Sequence, residues 1–210
     1  MADEQKRRRR FYTWSTFFIL LLLLGILLAL LWLYHEKAVT DSRPATLPTV
    51  TLPETQLHQL QQRIETFREA VRSRQSLLAP LDLTSDEVNM LIATDADCEP
   101  LKGHFHVTLE GSVAKAQFSF PTAQLGLDPK GRFFNGSGTF SVTLQNGSLR
   151  IKAKAITVKR HSLPAEIAAH FENENFAEAI NENPRAQAAF KRIESIEIKN
   201  SKLVITAKNQ

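Results

Sequence analysis

Two histidines have a spacing that could support metal chemistry. His104 and His106 are two residues apart in an alternating sequence, so on a β-strand both would point to the same side and could hold a metal ion. A third ligand is missing, because Glu110 on that side would lie about 13 Å from His104. His161 and His170 belong to other predicted elements. The sequence therefore predicts surface or half-buried histidines and no metal site.

The single cysteine does not have the surroundings of a nucleophile. Cys98 is flanked by Asp95, Asp97 and Glu99, which disfavour a thiolate, and a lone cysteine can form a disulfide only with another molecule. No Gly-x-Ser-x-Gly elbow, P-loop, dinucleotide fingerprint, paired-cysteine zinc pattern or His-Glu-x-x-His sequence is present. We therefore predict that the protein is not an enzyme and uses no cofactor.

Phenylalanine is the residue type that points to a ligand. Residues 35–210 contain ten phenylalanines but no tryptophan or tyrosine, and several of them alternate along predicted strands. Two interpretations are open: an ordinary phenylalanine-rich core, or an apolar groove that accepts an acyl chain. The candidate groove residues are Phe105, Val107, Phe118, Phe120, Phe140, Val142 and Ile151.

Residues 11–34 are a charge-free apolar run of 24 residues. A helix of that length reaches about 36 Å and can span a hydrocarbon core of about 30 Å. The alternative, a cleaved signal peptide, would have a shorter apolar region followed by small residues. The positive-inside rule places the N-terminus in the cytoplasm and the rest across the bacterial inner membrane, in the periplasm or outside the cell. The topology residues are Lys6, Arg7, Arg8, Arg9, Arg10, Trp14 and Trp32.

Charge and length constrain the part of the chain that comes after the span. The formal net charge is +4, but much of the excess lies in the basic head, so the rest is nearly neutral and lacks the footprint of a nucleic-acid binder. The remaining length suits one domain. Prolines make residues 35–53 an extended spacer that holds the domain some tens of ångströms from the bilayer. The predicted order is a cytoplasmic head at 1–10, a transmembrane helix at 11–34, a Pro-rich linker at 35–53 and an extracytoplasmic domain at 54–210.

Three segments of this domain are predicted to be helical. Apolar residues at spacings of three or four over 54–74 indicate an amphipathic helix that packs on its own domain, with a coiled coil as the alternative. Thr84 followed by Glu87 forms a capping box in front of a second, short helix. Residues 162–192 are helical with a break at Asn183-Pro184.

Strands are predicted as hairpins with recognisable turns. Two alternating runs meet at Gly111-Ser112, the next two at Asn146-Gly147, and the closing pair at Asn200-Ser201. Asn135–Gly138 is predicted to be a flexible loop, and a slip in alternation between Ala155 and Ile156 predicts a bulge.

The order of these elements predicts an α+β domain. About six mostly antiparallel strands form a curved sheet whose one face is covered by helices.

Four segments carry a resemblance to a known family. LTSDEVNMLI, GRFFNGSGTFSVTLQNGSLRIKAK, SLPAEI with ENFAEAIN, and IESIEIKNSKLVI together resemble the YpmS-like single-pass membrane proteins of bacteria. More distantly, the layout is similar to tubular lipid-binding folds, whose sheets wrap a long helix around an apolar channel. The resemblance covers residues 80–207 and is one of layout, without a catalytic signature. It implies a lipid or lipophilic ligand and no active site.

Two functions remain open on the sequence alone. In the first, the anchored outer domain binds or relays a lipid or another lipophilic ligand. In the second, it is a scaffold or assembly subunit of a cell-envelope protein complex, docking its partner through helix 54–74 or an exposed edge of the last hairpin. A core filled by its own phenylalanines favours the second function, and a hollow core favours the first.

Overall fold

The computed structural model describes residues 40–73, 79–125, 131–158, 161–162 and 173–208. The predicted basic head, the predicted span with all its topology residues, and residues 163–172 of the predicted third helical segment lie outside the described residues. Within the described ranges, no helix combines the length and the hydropathy needed to cross a membrane. The chain divides into two compact units, Met1–Thr40 and Asp41–Gln210, and the helices and strands described here belong to the second.

Over its described residues, this unit is an α+β domain built on one antiparallel sheet of eight strands, which confirms the predicted α+β class. Its strands are β1 (Leu81–Leu83), β2 (Phe105–Glu110), β3 (Val113–Pro121), β4 (Phe133–Gln145), β5 (Ser148–Val158), β6 (His161–Ser162), β7 (Ile193–Lys199) and β8 (Lys202–Ala207). Its helices are α1 (Glu54–Ser73), α2 (Ser85–Thr94), α3 (Glu178–Glu182) and α4 (Pro184–Phe190). The structure has two strands more than the six that were predicted. Strands β1 and β6 are too short to show alternation in the sequence.

Strand β4 organises the sheet. Strand β5 pairs along one edge of β4, while β3 pairs with its first half and β7 with Thr143. Because β5 occupies one edge over this range, the hairpins β2–β3 and β7–β8 must follow one another along the other edge. Their turns meet there: the Ser201 amide donates to the Gly111 carbonyl, and the Gly111 amide donates to Ser201 Oγ.

The three predicted hairpins are confirmed. Asn146 and Gly147 have φ angles of 53° and 74°, and Asn200 and Ser201 have 52° and 60°, as two-residue hairpin turns with a left-handed backbone require. The bulge is also confirmed, close to its predicted position. Thr139 pairs with Ala155 and Phe140 with Ala153, which leaves Lys154 as the extra residue of β5.

The prediction of a flexible loop at Asn135–Gly138 is wrong, because these residues lie within β4. Their glycines have a packing role. A Cβ on Gly136 would lie 2.6 Å from the Phe118 ring and 2.8 Å from the Thr157 carbonyl oxygen, and one on Gly138 would lie 2.7 Å from the Phe140 ring. Glycine here admits two aromatic rings to the strand surface.

Helices cover one face of the sheet. Leu60 and Phe67 of α1 are buried in a cluster with β-strand residues such as Leu81 and Ile196, so α1 packs on its own domain as predicted. The capping box of α2 is confirmed, since Thr84 Oγ1 accepts from the Glu87 amide and Glu87 accepts from the Thr84 amide.

The predicted helix break is confirmed as well. Asn183 caps α4 by accepting from the amides of Arg185 and Ala186, and Pro184 occupies the first turn.

Candidate functional site

All seven predicted groove residues lie on the helix-covered face of the sheet. Directly paired residues share a face, and the register joins Phe105 to Phe118 and Val142 to Ile151. The same register places the other three groove residues on that face. Val107, Phe118 and Phe140 are buried, and the remaining four are partly buried.

The chain's own side chains pack over this face. One buried cluster joins α1 and α4 to strands β1 and β7, and a second lies around Val107 and Phe140. A cavity of about 490 Å³ lies between α1 and β1, and another of about 280 Å³ lies on the opposite face of the sheet. Neither cavity is lined by a predicted groove residue. The described residues thus place all seven in or beside the core, and their use in ligand binding stays a prediction.

Two apolar side chains are exposed beside this core. Phe176 is 41% exposed and Ile180, on α3, is 43% exposed, and both are large hydrophobic residues. The Phe176 ring stands edge-on to Phe140 with ring centroids 5.5 Å apart. An exposed aromatic ring is thereby in direct contact with one of the predicted groove residues.

Side chains close the edge of the sheet at β2. The buried Asn89 of α2 accepts from the Val107 amide at 2.8 Å and donates to the Val107 carbonyl at 2.7 Å. Ser85 Oγ accepts from the Leu109 amide. These bonds replace the backbone hydrogen bonds that a neighbouring strand would form. The Val107 amide and carbonyl and the Leu109 amide are therefore already hydrogen-bonded.

The edge at β5 is closed in the same way. Asn175 and Asn181 both bond the backbone of Leu149, and Asn175 also accepts from the Ile151 amide. The Phe176 amide donates to the Ile151 carbonyl. Here a loop and a short helix take the place of a strand.

The last hairpin was predicted to offer an exposed edge as a docking surface. This prediction is wrong for β8. Strand β1 pairs with Leu203, Val204 and Ile205, and the Asp82 carbonyl on its other side accepts from Arg63. A strand as short as β1 has no sequence signature of its own, which is why this pairing escapes prediction. The second predicted docking surface, helix 54–74, has its apolar side buried in the core.

The sheet face opposite the helices, here named the polar face, carries hydroxyl, amide and charged side chains. Lys115 and Lys202 form ion pairs there with Glu110 and Asp82. The cavity of about 280 Å³ lies on this face. On β2 to β5 the register assigns to it the polar residues His106, Thr108, Glu110, Lys115, Gln117, Ser119, Asn135, Ser137, Thr139, Ser141, Thr143, Gln145, Ser148, Arg150, Lys152 and Thr157, together with Val113, Pro121, Phe133 and Ala155.

Part of the predicted linker is bound to this face. Asn135 Nδ2 donates to Asp41 Oδ2 and to the Arg43 carbonyl, and Asn135 Oδ1 accepts from the Ala45 amide and from Ser119 Oγ. A pair of backbone hydrogen bonds joins Asp41 to Phe133. The prediction of a spacer that extends from the domain is therefore wrong for residues 41–45, because Asn135 and a β-bridge hold them on the sheet.

Among the described residues, His104, His106 and Cys98 are not gathered into one metal-binding group. His104 precedes β2, and its Nδ1 hydrogen-bonds the Ser119 carbonyl while its ring lies 5.7 Å from that of Phe120. Cys98 lies in a short 3₁₀-helix, where it is partly exposed. In the part of the chain that the structure describes, no group of three His, Cys, Asp or Glu residues could hold a metal ion.

Asparagines are the functional residues that sequence reasoning missed. Asn89, Asn135, Asn175 and Asn181 bond backbone groups far away in sequence, and their partners become visible only when the strands are placed. One signal was available in the sequence: an asparagine that neither caps a helix nor occupies a turn. Asn89, in the interior of α2, is an example. A buried amide in such a position needs a partner.

Comparison of the chain with protein-family models, curated proteins and solved structures gives no match. The resemblance to the YpmS-like proteins therefore stays a prediction. The geometry of the sheet, its edges and its exposed side chains is the remaining guide to function.

Proposed function

We propose that this protein is a membrane-anchored, non-catalytic domain on the extracytoplasmic side of the bacterial inner membrane, acting as a scaffold or assembly subunit of a cell-envelope complex. The predicted span at 11–34 and the basic residues before it support the anchor and its direction. The observation that supports the scaffold function is the packed apolar face. The apolar side chains of α1, α2 and α4 pack against those of the strands beneath them.

The partner's docking point in this proposal is the exposed pair Phe176 and Ile180. Aromatic and aliphatic side chains that become fully buried on association contribute most to protein interfaces. Strand addition is disfavoured, because side chains already bond the edges of β1, β2 and β5. Recognition therefore relies on side chains rather than on the sheet backbone.

A lipophilic ligand is the second candidate, and one observation favours it. Phe176 covers Phe140, so displacement of this one exposed ring would give an acyl chain access to a predicted groove residue. This function requires the segment around α3 to move, whereas the scaffold function uses the surface as it stands.

Photo-crosslinking of the full chain in native membranes tests the scaffold proposal. A photoreactive amino acid at Ile180 should give one discrete protein adduct, while the same group at Glu65, an exposed residue of α1, should give none. Phe176→Asp should abolish the Ile180 adduct, because it removes the apolar neighbour.

The two candidates predict different adducts. A lipid adduct at Ile180, together with a lipid that stays bound during native mass spectrometry, would support the second candidate and overturn the first. Equal yields of protein adduct at Ile180 and Glu65 would mean random encounters and would reject the docking point.

A further inference from the structure

We propose that the polar face lies against an anionic phospholipid bilayer, with Arg150, Lys152 and Lys154 binding the phosphodiester headgroups. This inference rests on the membrane anchor of the proposed function but not on the protein partner. It assigns the polar face to the bilayer, whereas the scaffold proposal uses the exposed pair beside α3.

The three cations form a row along β5. Arg150 and Lys152 pair with Thr143 and Ser141 of β4, which places both on the polar face, and the bulge residue Lys154 is exposed beyond them. Alternate residues of a strand are about 6.6 Å apart, so the row presents positive charges at a regular short spacing.

The cations of this row differ in their ion pairs from Lys115 and Lys202 of the same face. Lys115 and Lys202 have carboxylate partners on the same face, but Arg150, Lys152 and Lys154 form no ion pair with a described residue. The segment that closes the outer edge of β5 carries Glu174 and Glu178, and across β4 the first carboxylate by register is Glu197, which pairs with the far side of Thr143. It is therefore two strand spacings from Arg150, about 9–10 Å.

The neighbouring strand adds neutral hydrogen-bond donors. The polar-face residues of β4 opposite the row are Thr139, Ser141 and Thr143, and none of them is acidic. Lysine and arginine beside hydroxyl groups suit phosphate oxygens, which carry charge and accept hydrogen bonds.

The path of the chain favours a bilayer over an acidic protein as the occupant. Residues 43–45 cross the same polar face, held by Asn135 and Ser119. Only six residues, 35–40, separate the predicted span from Asp41, and six extended residues reach about 20 Å. The described chain thus enters the domain on the same face that carries the row of cations.

Lysine acetylation of the full chain in nanodiscs tests this orientation. Lys152 and Lys154 should react more slowly in discs containing phosphatidylglycerol than in discs of phosphatidylcholine alone. Lys191, exposed at the end of α4, serves as the internal control and should react equally in both. Each cation near an anionic surface gains about a fivefold preference for it, so three give on the order of a hundredfold. Salt at about 1 M should remove the protection.

A charge-matched pair of variants isolates the row. Lys199 lies on the same face as Glu197 and should share the protection, and Arg150→Gln/Lys152→Gln/Lys154→Gln should abolish it. Arg72→Gln/Arg185→Gln/Lys191→Gln removes the same charge from exposed helix positions and should leave the protection of Lys199 intact.

Several outcomes would overturn the inference. Equal reaction rates of Lys152 in both kinds of disc would exclude headgroup binding, and equal protection of Lys191 would exclude a preferred face. Protection by inorganic phosphate in detergent would assign the row to free phosphate. Alkaline extraction of native membranes tests the anchor separately, so loss of the anchor can be distinguished from failure of this inference.

Discussion

Asn135→Ala should release residues 41–45 from the sheet without unfolding the domain. The substitution removes four hydrogen bonds, to Asp41, Arg43, Ala45 and Ser119, with lengths between 2.8 and 3.1 Å. The β-bridge of Asp41 and the bond from the Ala45 amide to Ser119 Oγ remain. Three of the removed bonds join the segment to the sheet and three other bonds remain, so the segment loses about half of its described attachment.

The magnitude depends on the exposure of these bonds. A typical hydrogen bond contributes about 0.5–1.5 kcal/mol net, and those to Ala45 and Arg43 are solvent-exposed, which places them at the low end. A total of about 2 kcal/mol corresponds to roughly a 30-fold shift toward the detached segment. Amides that exchange through this local opening should exchange faster by the same factor.

Hydrogen exchange of the full chain measures this directly. Peptides covering residues 40–50 should exchange about 30-fold faster in Asn135→Ala, while peptides from β7 and β8 should be unchanged. Ser137→Ala is the matched control, since Ser137 lies on the same strand and face without a side-chain hydrogen bond to a described residue. Unchanged exchange in residues 40–50, or faster exchange throughout the sheet, would refute the role of Asn135 as a clamp.

Three further substitutions test the packing of the domain. Asn89→Ala leaves the Val107 amide and carbonyl without their partner and should lower the free energy of unfolding by about 2–4 kcal/mol in urea titrations; a loss below about 1 kcal/mol would contradict the edge-closing role. Gly136→Ala should cost at least about 1–3 kcal/mol in thermal melts because the new methyl group meets the Phe118 ring and a carbonyl, and Ser137→Ala should be near neutral. Leu60→Ala should cost about 2–5 kcal/mol if α1 belongs to the cooperative core, and a negligible loss would show that α1 folds separately.

Local signals in the sequence were sufficient for most of the fold. The turns at Asn146-Gly147 and Asn200-Ser201, the capping box at Thr84 and the break at Asn183-Pro184 are decided by neighbouring residues, and each is confirmed. The bulge at Lys154 belongs to this group, because a change in alternation is visible along one strand.

Features that depend on distant residues could not be predicted. Asn135–Gly138 has the composition of a loop, and only the rings of Phe118 and Phe140 above its glycines explain why it is a strand. Strand β1 exists because β8 offers it an edge, and residues 41–45 are ordered because Asn135 lies beneath them. In each case tertiary contacts outweigh local propensity.

The candidate groove illustrates the same limit for function. Alternation correctly groups Phe105, Phe118, Phe140 and their neighbours on one face, but it cannot tell whether that face is hollow or packed. The answer depends on where helices α1, α2 and α4 pack, and the alternation of residues along the strands does not predict their positions.

Under the proposed membrane anchoring, closed sheet edges have a physical consequence. Anchored chains share a two-dimensional surface, so unpaired strand edges would meet often and pair with one another. Asn89, Asn175 and Arg63 bond the outer backbone groups of three strands and so oppose such pairing. The two proposals use different surfaces of the described part of the domain, which are the apolar pair beside α3 and the polar face. The two proposals assign the first to a protein partner and the second to the bilayer, and both can be occupied at once.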